Sequence, residues 1–228
     1  MPEPALAPVR VWDLPTRLFH WLLLVAVVGA VITANIGGNA MVWHIRLGCA
    51  ILGLLVFRLL WGVVGGRWSR FSSFVYRPAE VLRHVRGRAA PDPRFEVGHS
   101  PLGSLSVWAM LLVLVAQVGT GLFADDEVFT TGPLNRFVET ATGLKATAWH
   151  TGAGKLLLIA LVALHVAAIV FYAWRRGRNL VRPMIVGDKP LPAGTPASAD
   201  GAPQRLLALL LAAASAGLAV FVASLGHA

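Results

Sequence analysis

The stretch WHTGAGKLLLIALVALHV, residues 149–166, decides the fold, because it sets two histidines in a long apolar run. His150 and His165 are fifteen positions apart. On one continuous helix both rings lie on roughly the same side, about 22 Å apart along the axis. Since the hydrocarbon core of a bilayer is about 30 Å thick, this spacing predicts one ring near each face of a membrane. An ionisable side chain at that depth is costly, so both histidines are candidate functional residues.

Composition places the rest of the chain in the same membrane class. Of 228 residues, 56% are hydrophobic and 14% are charged, which is typical of a polytopic membrane protein and not of a soluble domain. We expect an all-α integral membrane protein with a transmembrane domain over 1–190, a Pro/Gly/Ala-rich linker over 191–204 and a fifth transmembrane helix over 205–226. The four helices of the first domain are predicted at about 14–35, 42–64, 103–123 and 146–174.

The start of the first helix carries its own signals. Pro15 suits a first helical turn, and Asp13 stands in position to cap it. Residues 1–11 are rich in proline and alanine and are expected to lack regular structure.

The charge pattern predicts the orientation in the membrane. The loops at 65–102 and 175–204 are basic, whereas the loop at 124–148 is net acidic. Basic loops stay in the cytoplasm, so the N-terminus is expected there and the acidic loop and C-terminus are expected in the periplasm. The net charge of +9 is therefore explained by basic loops at the cytoplasmic face of the lipid membrane, and no nucleic-acid partner is needed to account for it. Cys49 is the one cysteine, which excludes an intrachain disulfide and covalent haem attachment through Cys-x-x-Cys-His.

Four histidines fall within the predicted spans and pair by depth. His20 and His165 lie toward the cytoplasmic face, and His44 and His150 lie toward the periplasmic face. Two imidazoles on facing helices can hold one haem iron from both sides, so the four helices would form a haem-binding bundle suited to electron transfer. Hydrogen-bonded contacts between helices are the simpler alternative for any single histidine. A di-iron centre is disfavoured because it needs carboxylates, and the spans place none near these rings.

Four cations in or beside the spans are candidate partners for haem propionates. Arg17 and Arg58 would serve an inner haem, since guanidinium pairs well with carboxylate. Arg46 and Lys155 would serve an outer haem in the same way. The alternative for all four is that the charged head reaches the lipid headgroups. The remaining histidines lie outside the spans and are interpreted as solvated or interfacial: His84, His99 and His227.

Four segments of the chain resemble the bacterial cytochrome b561 family, which includes the di-haem cytochrome b subunits of nickel–iron hydrogenases. They are VWDLPTRLFHW (11–21), GHSPLG (98–103), QVGTGLF (117–123) and NLV (179–181). The resemblance covers about residues 9–190. It implies a four-helix core in the bacterial inner membrane with two b-type haems, which exchanges electrons between a membrane quinone pool and a redox partner. The axial ligands that it implies are His20, His44, His150 and His165.

The resulting hypothesis is an electron-transfer subunit that connects quinone to a periplasmic c-type cytochrome or hydrogenase. A self-contained quinone-linked oxidoreductase of a small substrate such as superoxide is a second hypothesis. A cofactor-free transporter with a histidine proton relay is a third. The polar residues Thr33, Asn35 and Gln117 are generic candidates for a quinone site. The partner, the direction of electron flow and the oligomeric state, a homodimer included, stay open.

Overall fold

A computed structural model describes residues 5–88, 92 and 94–227. These residues are mostly helical, and they also include one pair of strands and four short 3₁₀ turns. The helices are α1 (Leu14–Ile36), α2 (Met41–Val64), α3 (Pro78–Val85), α4 (Arg94–Val97), α5 (Pro101–Phe123), α6 (Thr140–Thr151), α7 (Ala153–Arg176), α8 (Val181–Val186) and α9 (Ala202–Ser224). The strands are β1 (Leu6–Arg10) and β2 (Asp188–Pro192). The 3₁₀ turns are Gly38–Ala40, Phe71–Ser73, Asn135–Phe137 and Leu225–His227.

Five described segments are long and apolar enough to cross a membrane. They are α1, the stretch Gly38–Val64 that contains α2, α5, the stretch Thr140–Arg176 that contains α6 and α7, and α9. Apolar side chains on these helices face outward, as at Val25, Leu112 and Leu209, which are all about two-thirds exposed. Lipid solvates such a surface, whereas water does not. The predicted all-α membrane fold class is confirmed.

The chain forms two compact units, and the segment boundaries fall within α1, α2, α5, α7 and α9. Unit 1 consists of Met1–Leu18, Leu59–Trp108 and Leu164–Leu209. Unit 2 consists of Phe19–Arg58, Ala109–Ala163 and Leu210–Ala228.

Unit 1 contains an antiparallel sheet that the sequence did not predict. β1 pairs with β2 from Leu6, opposite Pro192, to Arg10, opposite Asp188. The buried cluster at the sheet consists of Val9, Val11, Trp12, Trp68, Val97 and Leu191. The expectation that residues 1–11 lack regular structure is therefore wrong for β1, and residues 1–4 lie outside the described part of the chain. The prolines in both segments argued against strands, because proline has no N–H to donate to a neighbouring strand. In a two-stranded sheet each strand has one unpaired edge, and proline is tolerated there.

The segment predicted as a linker is ordered within unit 1. Arg10 forms ion pairs with Asp188 at 2.6 Å and with Asp200 at 2.8 Å. The backbone N–H of Ser198 donates to the Arg10 carbonyl at 2.7 Å, and its hydroxyl donates to the Val11 carbonyl at 2.7 Å. These contacts fasten the chain before α9 to the chain before α1.

Asp13 is a fully buried carboxylate in unit 1. One oxygen accepts the backbone N–H of Thr16 at 2.8 Å, which confirms the predicted cap of α1, and the indole N–H of Trp61 at 3.1 Å. The other oxygen accepts the Ser69 hydroxyl at 2.6 Å and the Gly66 N–H at 3.2 Å. A buried charge is tolerated only where it is hydrogen-bonded in this way. Asp13 thus joins the start of α1 to the last turn of α2 and the turn after it.

The helix that carries His150 and His165 is interrupted between them. α6 and α7 are separated by Gly152, which is not helical. One continuous helix was predicted, so the distance of about 22 Å between the rings no longer follows from the sequence. Glycine weakens a helix, and a Cβ at position 152 would lie 2.6 Å from the Ala148 carbonyl oxygen. Only glycine allows this close approach of the backbone.

In unit 2 the fifth span packs closely on the second. A Cβ at Gly53 on α2 would lie 3.2 Å from the Ala219 Cβ and 3.2 Å from the Ser215 carbonyl oxygen on α9. Small residues at a helix contact let two backbones approach in this manner. The part of α9 from Leu210 onward is therefore packed within unit 2.

Candidate functional site

Two of the four candidate histidines face each other in unit 2. The ring centroids of His44, on α2, and His150, on α6, are 5.8 Å apart, and the ring planes make an angle of 79°. Two metal–nitrogen bonds of about 2 Å, with the span from each ring centre to its nitrogen, add to about 6 Å. The observed separation therefore suits one metal atom held between the two rings.

Hydrogen bonds to backbone carbonyls orient both rings. His44 Nδ1 lies 2.9 Å from the Ala30 carbonyl oxygen, and His150 Nδ1 lies 2.8 Å from the Gln117 carbonyl oxygen. A carbonyl oxygen can only accept, so each Nδ1 carries the proton and donates it. In the neutral tautomer that donates from Nδ1, Nε2 is the nitrogen left to bind a metal. Metal-binding histidines are held in this way, since the outer hydrogen bond fixes the tautomer and makes the ligating nitrogen more basic.

The polar residues named as generic quinone candidates each donate a hydrogen bond inside the protein, whereas the buried Oε1 atom of Gln117 accepts none among the described residues. The Gln117 amide donates to the His150 carbonyl at 2.7 Å, so this residue supports His150 through both its side chain and its backbone. Thr33 donates to the Gly29 carbonyl at 2.7 Å, and Asn35 donates to the Val31 carbonyl at 2.7 Å. Gln117 is therefore a positioning residue for His150.

Missing side chains leave space beside the two rings. A Cβ at Gly121, on α5, would lie 2.8 Å from His150 Cε1. A cavity of about 50 Å³ opens next to His44, and its lining includes Gly48, Gly121 and Leu122. A porphyrin is larger than this cavity, so most of a bound ring would extend beyond it. The donor set, two imidazole Nε2 atoms among apolar neighbours, fits an iron porphyrin.

The other two candidate histidines lie in different units. His20 is on α1 in unit 2, and His165 is on α7 in unit 1. Both side chains are half-buried. Their pairing stays a prediction.

The four candidate cations differ in burial. Arg58 on α2 is 4% exposed, which is unusual for arginine within an apolar span. Arg17 is half-buried and donates to the Ile185 carbonyl at 2.5 Å. Arg46 stacks over the Trp43 ring at 5.0 Å and, like Lys155, is exposed. The predicted propionate contacts of all four stay predictions.

His99, which was expected to be solvated or interfacial, is half-buried and packs at tilted angles against two aromatic rings. Its ring is 4.8 Å from the Trp12 ring and 4.6 Å from the Phe74 ring. His84, in the same loop, packs edge-on against Phe95 at 5.3 Å. All three contacts lie within unit 1.

Comparison with known proteins identifies the family. Residues 11–187 match the family model of the prokaryotic cytochrome b561. The chain belongs to this family. It is therefore a multi-pass membrane protein of a b-type cytochrome family.

Two relatives of this cytochrome b561 come from Escherichia coli, strains K12 and O157:H7. Each is named "Probable Ni/Fe-hydrogenase 1 B-type cytochrome subunit". Each is 24% identical over 135 residues, which cover 49% of this chain and 57% of the relative. The match thus spans little more than half the length of these relatives. No solved structure matches the chain.

Proposed function

We propose that this cytochrome b561 is a di-haem electron carrier of the bacterial inner membrane. His44 and His150 would hold an outer haem, and His20 and His165 would hold an inner one. Electrons would pass between the quinone pool and a periplasmic redox partner. The N-terminus would lie in the cytoplasm and the C-terminus in the periplasm, as the basic loops favour. The facing rings of His44 and His150, 5.8 Å apart, carry the proposal.

The hydrogen bonds around these rings support ligation over a proton relay. A proton relay passes a proton in at one imidazole nitrogen and out at the other. In His44 and His150 the Nδ1 atom is already hydrogen-bonded to a backbone carbonyl, which has no proton to give. The remaining Nε2 atoms of His44 and His150 would hold the haem iron. When bound, a haem with both axial positions filled supplies one-electron redox chemistry and no open position for oxygen.

The names of the relatives favour one class of partner. Both Escherichia coli proteins are described as cytochrome subunits of a hydrogenase. A hydrogenase is therefore the partner that these names favour, and a periplasmic c-type cytochrome is the second partner that we propose on the charge of the loops. Quinone or quinol would be the reactant in the membrane.

The proposal is tested on the purified protein by a reduced-minus-oxidised absorption spectrum and a haem assay. We expect low-spin b-type bands and about two haems per chain. In proteoliposomes a quinol should reduce this haem. A preparation without b-type bands would end the proposal, and a haem that no quinol reduces would refute the link to the quinone pool.

A substitution at Gly121 tests the outer site by filling space beside His150 without changing either histidine. Gly121→Ala places a Cβ within 2.8 Å of the His150 ring, so the ring must turn away from its present position. We expect about half of the total haem to be lost, with the inner haem retained. Gly119→Ala is the matched control on the same helix, because a Cβ there has nothing within 4 Å. The pyridine haemochrome assay measures both variants, and equal haem contents would contradict the placement.

A further inference from the structure

An apolar pair is presented to solvent on the acidic loop of unit 2. Phe129 is 96% exposed and its neighbour Val128 is 69% exposed. Both belong to the tight turn 125–131, which lies between α5 and α6 and outside the membrane spans. Adjacent exposed apolar side chains rimmed by charged residues mark a candidate interaction site.

The turn holds Phe129 in place. One carboxylate oxygen of Asp126 accepts the backbone N–H groups of Val128, Phe129 and Thr130 at 3.0, 2.9 and 2.7 Å. These bonds, the one from Thr130 foremost, lower the pKa of Asp126 to about 2. Asp125 and Thr131 close the turn as an antiparallel bridge. A backbone that is already ordered loses little further entropy on binding, so the turn is suited to recognition.

The turn is tied to the outer histidine site within the same unit. The backbone N–H of Asp125 donates to the Thr147 hydroxyl at 2.8 Å, and this hydroxyl donates back to the Asp125 carbonyl at 2.8 Å. Thr147 lies on α6, one helical turn before His150. On the other side, the N–H of Leu134 donates at 2.8 Å to the carbonyl of Leu122, which lines the cavity beside His44.

The charge around the apolar pair selects the kind of partner. Asp125, Asp126 and Glu127 precede Val128 and Phe129, and no basic residue occurs between positions 124 and 135. Three carboxylates oppose insertion among anionic lipid headgroups, whereas they attract lysine and arginine. A soluble protein with an apolar recess ringed by basic side chains is complementary to this turn in both charge and polarity.

We infer that the acidic turn 125–131, with Phe129 at its tip, is the docking surface for a soluble basic electron-transfer protein. The inference rests on the proposed function, because it needs an outer haem at His44 and His150. In the docked complex one electron passes between the two proteins, so that one is oxidised and the other reduced. No bond is formed or broken and no proton moves.

The test uses the full-length protein in lipid nanodiscs, reduced with dithionite and mixed with oxidised cytochrome c in a stopped-flow instrument. A basic c-type cytochrome is the probe, and an acidic one is the counter-probe. Phe129→Ala should lower the second-order rate constant for the basic probe about tenfold or more. Phe137→Ala is the matched control, since Phe137 is 59% exposed in the same loop but outside the turn. Its rate constant should stay within about twofold of the wild-type value.

Charge and membrane insertion are tested separately. Glu127→Gln should slow the reaction with the basic probe and flatten its dependence on ionic strength. Because Cys49 is buried, a polarity-sensitive fluorophore can be attached to a Phe129→Cys variant. Its emission should be that of a solvated dye in the nanodisc and should shift when the basic probe binds. An emission already shifted in the nanodisc alone would mean insertion into lipid and would overturn the inference.

The outcomes separate this inference from the function that it rests on. Equal rate constants for Phe129→Ala and wild type, or equal rates with the basic and acidic probes, would overturn the docking surface. The b-type spectrum and its reduction by quinol would stand in that case. A wild-type protein without b-type bands would instead remove the proposed function, and the inference with it.

Discussion

His150→Ala should remove one haem from each chain and leave the other. The His150 ring faces His44 at 5.8 Å, and alanine supplies no nitrogen to replace it. An iron that loses one of two axial imidazoles is no longer low-spin, and a haem held on one side only should be lost during purification. We expect the haem content to fall from about two to about one per chain. One of two midpoints in a potentiometric titration should vanish with it.

The pairing itself is tested by comparing variants. His44→Ala must remove the same midpoint as His150→Ala, whereas His20→Ala and His165→Ala must both remove the other one. His84→Ala is the control, because His84 lies on α3, outside the spans, and its ring packs on Phe95. It should keep both haems. If His44→Ala and His150→Ala lost different midpoints, the two rings would not share an iron.

The sequence predicted the outer histidine pair because its signal is local. Each candidate histidine lies in an apolar run, where an ionisable side chain is unfavourable and therefore suggests a function. The distribution of basic residues among the loops then predicts which end of each run lies at which face of the membrane. His44 and His150 then fall near the same face without any knowledge of packing. The two hydrogen bonds that orient the rings could not be predicted in this way, because their acceptors are the backbone carbonyls of Ala30 and Gln117.

The departures from the predicted fold have physical causes that a single sequence hides. The sheet of β1 and β2 joins segments at opposite ends of the chain, and prolines in both strands lower their propensity. The interruption falls at Gly152, in a run that otherwise reads as one helix. A hydropathy window averages over both features. The sharp turn at Phe129 depends on hydrogen bonds to the Asp126 carboxylate. The sequence shows this residue only as one of several acidic residues in the loop, so the turn could not be predicted.

Asp13→Ala should destabilise the protein more than any change to an exposed carboxylate. The substitution removes the acceptor of four hydrogen bonds at a fully buried position, and the Trp61, Ser69 and Gly66 donors would be left in an apolar setting. Each buried donor without a partner costs about 1–3 kcal/mol, and loss of the α1 cap adds about 1 kcal/mol. We expect a loss of about 3 kcal/mol or more in the free energy of unfolding, measured by SDS titration in mixed micelles.

A control and a double variant decide whether the hydrogen-bond network causes the loss. Glu80→Ala also removes a carboxylate from unit 1, but that group accepts a single backbone N–H, from Arg77, at the surface, so it should cost less than about 1 kcal/mol. Ser69→Ala removes one donor to Asp13 at 2.6 Å. Combined with Asp13→Ala it should cost less than the sum of the two single losses, by about 1 kcal/mol, because the serine donor is no longer stranded. Strictly additive losses would mean that Asp13 acts through something other than these bonds.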